Sequence, residues 1–260
     1  MPNYQNGTVR IWFSNGSNIT ESIFHSSQYA YSIFVTYNGD IYVGGQSSSS
    51  SYYIDKLTLN DSSSISVGTP SKACYGLFVD ITDILYCSIR DNHEVVKKTL
   101  DSSLSAWRNV AGVSGKSGSG SKNLKTPNAI FVDVNWDLYV ADCGNDRIQL
   151  FHLGISIGIT VAGSKSTTIT LNCPTGVILD GDKYLFIVDN NNHRIVGSGP
   201  NGFRCLVGCS GSGNAPNLLS SPTSMAFDTY GNIYVTDTNN NRIQKFLLLN
   251  NTNRKFVKLH

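Results

Sequence analysis

The chain has 260 residues, enough for one large all-β domain of roughly 200–250 residues. Its net charge of +2 is too small to make nucleic acid or an anionic membrane the default partner, and no apolar run approaches the roughly 18 residues that a membrane helix needs. Charged residues make up 15% and hydrophobic ones 40%, with Ser, Gly, Asn and Thr crowded between short apolar runs, which is the texture of turn-rich β structure.

The first residues, MPNYQNGTVRIWF, do not show a basic segment followed by an apolar core, so no signal peptide is read here, and any secretion address is expected outside this sequence. TVRIWF and ITESIF, within residues 1–25, read as two strands. After them one pattern recurs: SIFVTYNGDIYV from Ser32, GLFVDITDILYC from Gly76, AIFVDVNWDLYV from Ala129, GVILDGDKYLFIV from Gly176 and SMAFDTYGNIYV from Ser224. Each holds two apolar runs around a polar turn, some with a Gly that makes positive φ cheap, as at Asn38-Gly39 and Tyr230-Gly231. Runs that are apolar throughout, rather than alternating, predict strands covered on both faces.

Downstream of each hairpin comes a second element, ADCGNDRIQLF from Ala141, DNNNHRI from Asp189 and DTNNNRIQKF from Asp237, with fainter copies at Asn92 and Asn6. Two outer strands follow, Arg147 to Phe151 with Ile159 to Ala162 in one unit, and Arg242 to Leu248 with Phe256 to Leu259 in the last. Thr36, Asp80, Asp133, Asp180 and Asp228 mark equivalent points 44 to 53 residues apart. Four antiparallel strands at that period predict an all-β fold, a β-propeller of four-stranded blades.

The pattern P-x-G-[IV]-x-[LV]-D, then [IL]-Y-V-x-D, then N-x-R-[IV]-Q-x-F resembles the NHL repeat, most clearly at Pro127 to Phe151, Pro174 to Ile195 and Pro222 to Phe246. The first full unit departs from it, with Ser47 to Ser51 in place of the Asp/Asn/Arg turn, and the second carries Glu94 in the Arg position. The resemblance implies a propeller, commonly six-bladed, and no single activity. One domain is expected over 1–260, with full blades at 29–70, 73–112, 126–163, 173–208 and 221–260. Residues 1–25 are expected to form the outer strands of a partial blade, giving about five and a half blades, with the missing inner hairpin upstream; alternatively these strands cap the last blade of a closed ring.

Taken alone, Asp142, Asn145 and Arg147 look like a catalytic set. Their counterparts, Asp189, Asn192, Arg194 and Asp237, Asn240, Arg242, argue for structure, since a catalytic set belongs in one place. The Asp is expected to accept hydrogen bonds from the turn's own amides, the Asn to tolerate left-handed backbone, and the Arg to bind neighbouring turns. Neither catalytic nor metal-binding residues are assigned, and no cofactor is expected, because the five histidines have no pair at short spacing; His193 is expected at the surface. Gly197 to Gly202 matches G-x-G-x-x-G with a Pro inside and no helix after it, and Gly115-Lys116-Ser117 lacks the first Gly of a P-loop. The Gly/Ser run from Gly112 to Ser121 reads as a flexible link between blades.

Six cysteines suggest three pairs: Cys74 with Cys87 across one hairpin, Cys143 with Cys173 at one rim, and Cys205 with Cys209 around a small loop. Such pairing points to an oxidising, extracellular or secretory compartment. Five glycosylation sequons, at Asn6, Asn15, Asn18, Asn60 and Asn250, agree with that address. The function expected is a non-enzymatic binding module, part of a larger protein, that presents a loop-rich rim near Asn191 and Asn239 to a protein or glycan. Nucleic acid and membrane insertion are not expected. The alternatives are a cytosolic substrate-recognition module of a ubiquitin ligase and a metal-dependent lyase or hydrolase.

Overall fold

The computed structural model describes residues 2–3, 8–15, 18–25, 29–58, 63–101, 105–163, 169–248 and 256–258, with the strands before residue 29 and after residue 255 given by backbone pairing alone. The chain divides into two compact units, Met1–Ser117 and Gly118–His260.

In the first unit, β1 (Pro2–Asn3), β2 (Thr8–Asn15) and β3 (Asn18–His25) form a three-stranded antiparallel sheet in that order. Two four-stranded antiparallel sheets follow. One holds β4 (Tyr29–Val35), β5 (Ile41–Ser48), β6 (Ser51–Thr58) and β7 (Ser63–Gly68); the other holds β8 (Cys74–Val79), β9 (Ile84–Ile89), β10 (Glu94–Thr99) and β11 (Arg108–Gly112). The second unit has three such sheets. They are β12 (Pro127–Val132) to β15 (Ile159–Gly163), with β13 (Leu138–Asp142) and β14 (Arg147–Phe151) between; β16 (Pro174–Leu179), β17 (Leu185–Asp189), β18 (Arg194–Gly197) and β19 (Arg204–Val207); and β20 (Pro222–Phe227), β21 (Ile233–Asp237), β22 (Arg242–Leu248) and β23 (Phe256–Lys258). Each of the five pairs its strands in chain order, the up-and-down connection of a β-propeller blade. Among the described residues five sheets are four-stranded, where the expectation was a six-bladed type with about five and a half blades in this chain.

The apolar runs fill the cores between these sheets. Ile54, Leu77, Leu85, Cys87 and Ile89 form one buried cluster in the first unit; Val177, Ile187, Ile148 and Val196, and then Val188, Ile195, Ile233 and Val235, form two in the second. Strand β17 reads LFIVD and is buried at every position, so its lack of alternation reflects cover on both faces.

The inner hairpins share one turn. In four of them the recurrent Asp folds its Oδ1 back onto the amides two and four residues on: Thr82 and Ile84 at Asp80, Asn135 and Asp137 at Asp133, Asp182 and Tyr184 at Asp180, Tyr230 and Asn232 at Asp228. What burial there is pushes the Asp228 carboxyl up, but hydrogen bonds from the Asn232 side chain and amide, Lys245 and the Tyr230 amide outweigh it and hold the pKa at about 2. The folded value lies below the ordinary one of about 3.9, so the contribution to stability is present above that value and is lost as pH falls toward about 2. An NMR titration is expected to place the Asp228 midpoint near 2; a midpoint near 4 would show that these donors do not hold it.

A glycine at the end of the fourth strand, or just past it, also recurs. Gly112, Gly163 and Gly208 have φ of +78°, +75° and +75°. A Cβ added at any of them would meet the carbonyl oxygen of His93, Asp146 or His193 respectively. Alanine at Gly163 is expected to cost roughly 1–2 kcal/mol from backbone conformation alone, and more with the clash. Denaturant unfolding would measure it, and a loss below about 0.5 kcal/mol would contradict the account.

Candidate functional site

The Asp/Asn/Arg elements sit where the second strand of a blade gives way to the third. In each, a 3-10 turn follows the Asp: Cys143–Asn145, Asn190–Asn192 and Thr238–Asn240. The residue after the turn is left-handed: Asp146 at φ 52°, His193 at 55° and Asn241 at 50°. This differs from the expectation that the motif's Asn takes that conformation. Asn145, Asn192 and Asn240 stay inside the turn, where their side-chain amides donate to the Asp at 2.8 Å.

The Asp carboxylate, fully buried in all three copies, reaches past its own turn. Its Oδ1 accepts the amide of Lys125, Asn172 or Ser220 at 2.6–2.7 Å, in the loop that leads into the same blade. The expectation that the turn's own amides would be used is therefore corrected. The amides of Asp146, His193 and Asn241 close the 3-10 turns, those of Gly144, Asn191 and Asn239 donate to the carbonyls of Lys125, Asn172 and Ser220, and the amides of these same three loop residues reach the carboxylate. Oδ2 takes the Asn and the Arg Nε, the latter at 2.8, 2.8 and 2.7 Å for Arg147, Arg194 and Arg242.

The guanidinium then spends its remaining donors on main-chain carbonyls. Arg147 donates to Ser119, Gly120 and Asn123 at 2.7–3.1 Å, Arg194 to Thr170 at 2.7 Å, and Arg242 to Asn214, Ala215 and Leu218 at 2.8–3.2 Å. The fixed fork of five donors suits this work in a way an ammonium does not. The Gly/Ser run, expected to be a flexible link, is thus held: Gly115 donates to the Asn92 carbonyl at 2.8 Å, Ser114 to Glu94 at 3.0 Å, and the 119–120 carbonyls accept from Arg147. Composition alone could not show a guanidinium arriving from residues 24 to 28 positions away.

Electrostatics differ between copies. Burial pushes the Asp142 carboxyl up and prevails over the downward pull of the Lys125 amide, Asn145 and Arg147. Burial also pushes Asp237 up, but Asn240, the Ser220 amide and Arg242 outweigh it and the net shift is downward. The cause lies in exposure of the partner: the Arg147 side chain is 8% exposed and that of Arg242 27%, so the first pair is more fully withdrawn from water.

The second blade performs the same task with reversed polarity. Glu94, buried in the Arg position, accepts from Asn92, Asn109 and Ser114 at 3.2, 2.8 and 3.0 Å. Neighbouring blades of the second unit are also tied through the left-handed residue: the Cys173 amide donates to Asp146 at 2.7 Å, and the Ser221 amide to His193 Nδ1 at 3.0 Å. His193, expected to be a surface residue, is half-buried, with its Nδ1 taken up by this contact.

All six cysteines are bonded. Cys74 and Cys87 are fully buried with Cα atoms 5.3 Å apart. They are not directly opposite, since Cys74 faces Ile89 and Cys87 faces Leu77, and an irregularity between Cys74 and Gly76 brings them together. Cys143–Cys173 links the turn after β13 to the residue before β16, and Cys205–Cys209 closes a loop at the end of β19. Among the suggested contact residues, Asn191 donates to Asn172 Oδ1 and Asn239 to Ser221 Oγ, both at 3.0 Å. Of the sequons, Asn6, Asn60 and Asn250 lie outside the described residues, and Asn15 and Asn18 close the β2–β3 hairpin by backbone pairing. Among the described residues no three His, Cys, Asp or Glu side chains are grouped to hold a metal ion.

Sequence reasoning missed one feature. In the first unit Tyr29, Tyr31, Tyr52 and Tyr75 gather where the first blade lacks the Asp/Asn/Arg turn, with the Tyr31 and Tyr75 ring centroids 5.2 Å apart. The available signal was that loss of the motif coincides with tyrosines at the starts of three strands.

A family model described as NHL repeat matches residues 219–246. No curated protein matches the sequence. Among solved structures, the chain is similar to a chain of a nidogen/laminin complex, at TM-score 0.70 and 16% identity over 94% of this chain and 87% of that one. Virginiamycin B lyase from Staphylococcus aureus gives TM-score 0.62 and 15% identity over 99% and 82%. An auxiliary nutrient binding protein from Bacteroides ovatus gives 0.66 and 16% over 86% and 60%. At these identities the likeness is one of fold. The matched repeat spans the Arg242 copy of a network that Arg147 and Arg194 repeat in the two preceding blades, and the chain is a β-propeller that carries an NHL repeat.

Proposed function

We propose that this propeller is a non-enzymatic binding module of an extracellular protein, and that the end of the blades carrying the 3-10 turns presents their loops to a protein or glycan. One observation carries the reading: the residues that look catalytic in isolation spend their polar atoms on loop main chain, in three copies. What they deliver is a set of rigid surface loops, the arrangement on which recognition is commonly built. Three disulfides support an oxidising compartment. Among the described residues no helix is long and apolar enough to cross a membrane. In the same reading, residues 1–25 contribute the outer strands of a partial blade.

The test is to screen the full chain against arrayed glycans and extracellular matrix proteins, then recover the bound ligand for mass spectrometry. Retention of a ligand that is released chemically unaltered is expected. A cleaved or rearranged ligand would overturn the non-enzymatic reading, and free thiols at all six cysteines of the secreted protein would overturn the extracellular one.

A further inference from the structure

The first blade breaks the repeat in a particular way. Tyr29 and Tyr31 open β4, Tyr52 is the second residue of β6, and Tyr75 is the second residue of β8. Gln46, near the end of β5, and Arg90, in the 3-10 turn after β9, lie at the same ends of these two blades, and Lys72 lies in the loop just before β8. Together they form one aromatic and cationic surface within the first unit.

The pieces touch. Tyr31 and Tyr75 pack with rings tilted by 43°. The Arg90 guanidinium lies 5.2 Å from the centre of the Tyr75 ring, and the Lys72 ammonium 5.9 Å from that of Tyr52. The Tyr31 hydroxyl donates to Gln46 Oε1 at 2.7 Å, which fixes that ring. Yet the surface faces water: Tyr29 is 45% exposed, Lys72 is exposed, and Tyr31, Tyr52, Tyr75 and Arg90 are half-exposed. Burial and neighbouring acidic groups raise the Tyr31 and Tyr75 phenols, so both remain neutral hydroxyls at physiological pH.

Rigid tyrosines offer flat, amphipathic area at low entropic cost, and the fork of an arginine matches a carboxylate or sulfate. Arg90 and Lys72 lie over these rings and Asp91 stands near Tyr31 and Tyr75, two positive charges to one negative, so the charge favours an anionic ligand. A pyranose presents a C–H face for stacking and many acceptor oxygens for phenol and guanidinium donors. We propose that this surface binds an acidic glycan, a saccharide bearing carboxylate or sulfate groups, with Tyr31, Tyr52 and Tyr75 stacking on the sugar and Arg90 and Lys72 holding its charge. The proposal rests on the binding-module reading and names its site and ligand class. Single-stranded nucleic acid, which also uses aromatics and cations, fits less well beside Asp91 and in an oxidising compartment.

The test uses the full chain on an array of neutral, carboxylated and sulfated glycans, with affinities from calorimetry on the best acidic probe. Acidic glycans are expected to be retained, with carboxyl-methylated or desulfated forms of the same probe bound about tenfold more weakly or worse. Arg90→Gln and Tyr52→Ala are each expected to weaken binding about tenfold while melting temperature stays near that of the parent, and affinity should fall with ionic strength. Tyr37→Ala, at an exposed ring in the β4–β5 turn at the opposite end of the first blade, should change nothing. If acidic glycans bind equally well to Arg90→Gln and Tyr52→Ala, the site is wrong and the module reading stands. If none is retained, or if a peptide or oligothymidine is bound instead and lost in the same variants, the ligand class is wrong. A chemically altered glycan would sink the module reading itself.

Discussion

Replacing Arg147 by alanine is expected to destabilise the second unit by about 3–5 kcal/mol, the usual consequence of removing one partner from a buried ion pair. Asp142 is fully buried, and without the guanidinium its charge keeps only the Lys125 amide and Asn145. The carbonyls of Ser119, Gly120 and Asn123 lose their donor in the same step. Arg242→Ala should cost less, roughly 1–3 kcal/mol, because that side chain is 27% exposed and water can replace part of what is lost. Urea unfolding of both variants measures the difference through the midpoint, provided the slope is unchanged. Equal losses, or a loss at Arg147 below about 1 kcal/mol, would show that the network is not what holds the loop.

Removal of Cys143–Cys173 by paired serine substitution is expected to cost roughly 3–4 kcal/mol on the loop-entropy account, since the bond closes 30 residues. The same substitution at Cys205 and Cys209, only 4 apart, should cost about 2 kcal/mol. The larger value is further supported by geometry: Cys173 is also where the Asp146 carboxylate receives an amide at 2.7 Å, so losing the bond loosens an ion-dipole contact between consecutive blades. Thermal unfolding of the two double variants, with serine at Cys74 and Cys87 as a third, gives the order. A protein more sensitive to loss of the four-residue loop than of the thirty-residue one would contradict it.

The repeat itself was legible because its spacing does not depend on partners. Pro127, Pro174 and Pro222 each open a first strand, and Asp142, Asp189 and Asp237 each end a second, so one reading serves three blades. What was not legible involves groups that carry no local signature. The Asp carboxylate reaches an amide 17 residues upstream, and every residue except proline has an amide. The Gly/Ser loop looked unrestrained because its anchor is a side chain from the next blade. The bond between Cys74 and Cys87 depends on a strand irregularity, and the tyrosine surface is assembled from three strands that contribute one or two rings each.

Because Arg147, Arg194 and Arg242 grip main-chain oxygens, the anchoring is indifferent to which side chains the loops carry. A substitution at Ser119, Thr170 or Asn214 would change the outward chemistry of its loop and leave the clasp closed. The scaffold thereby separates heritable variation of its exposed loops from the cost of refolding them, which is the property that lets one fold diversify its specificity by point mutation.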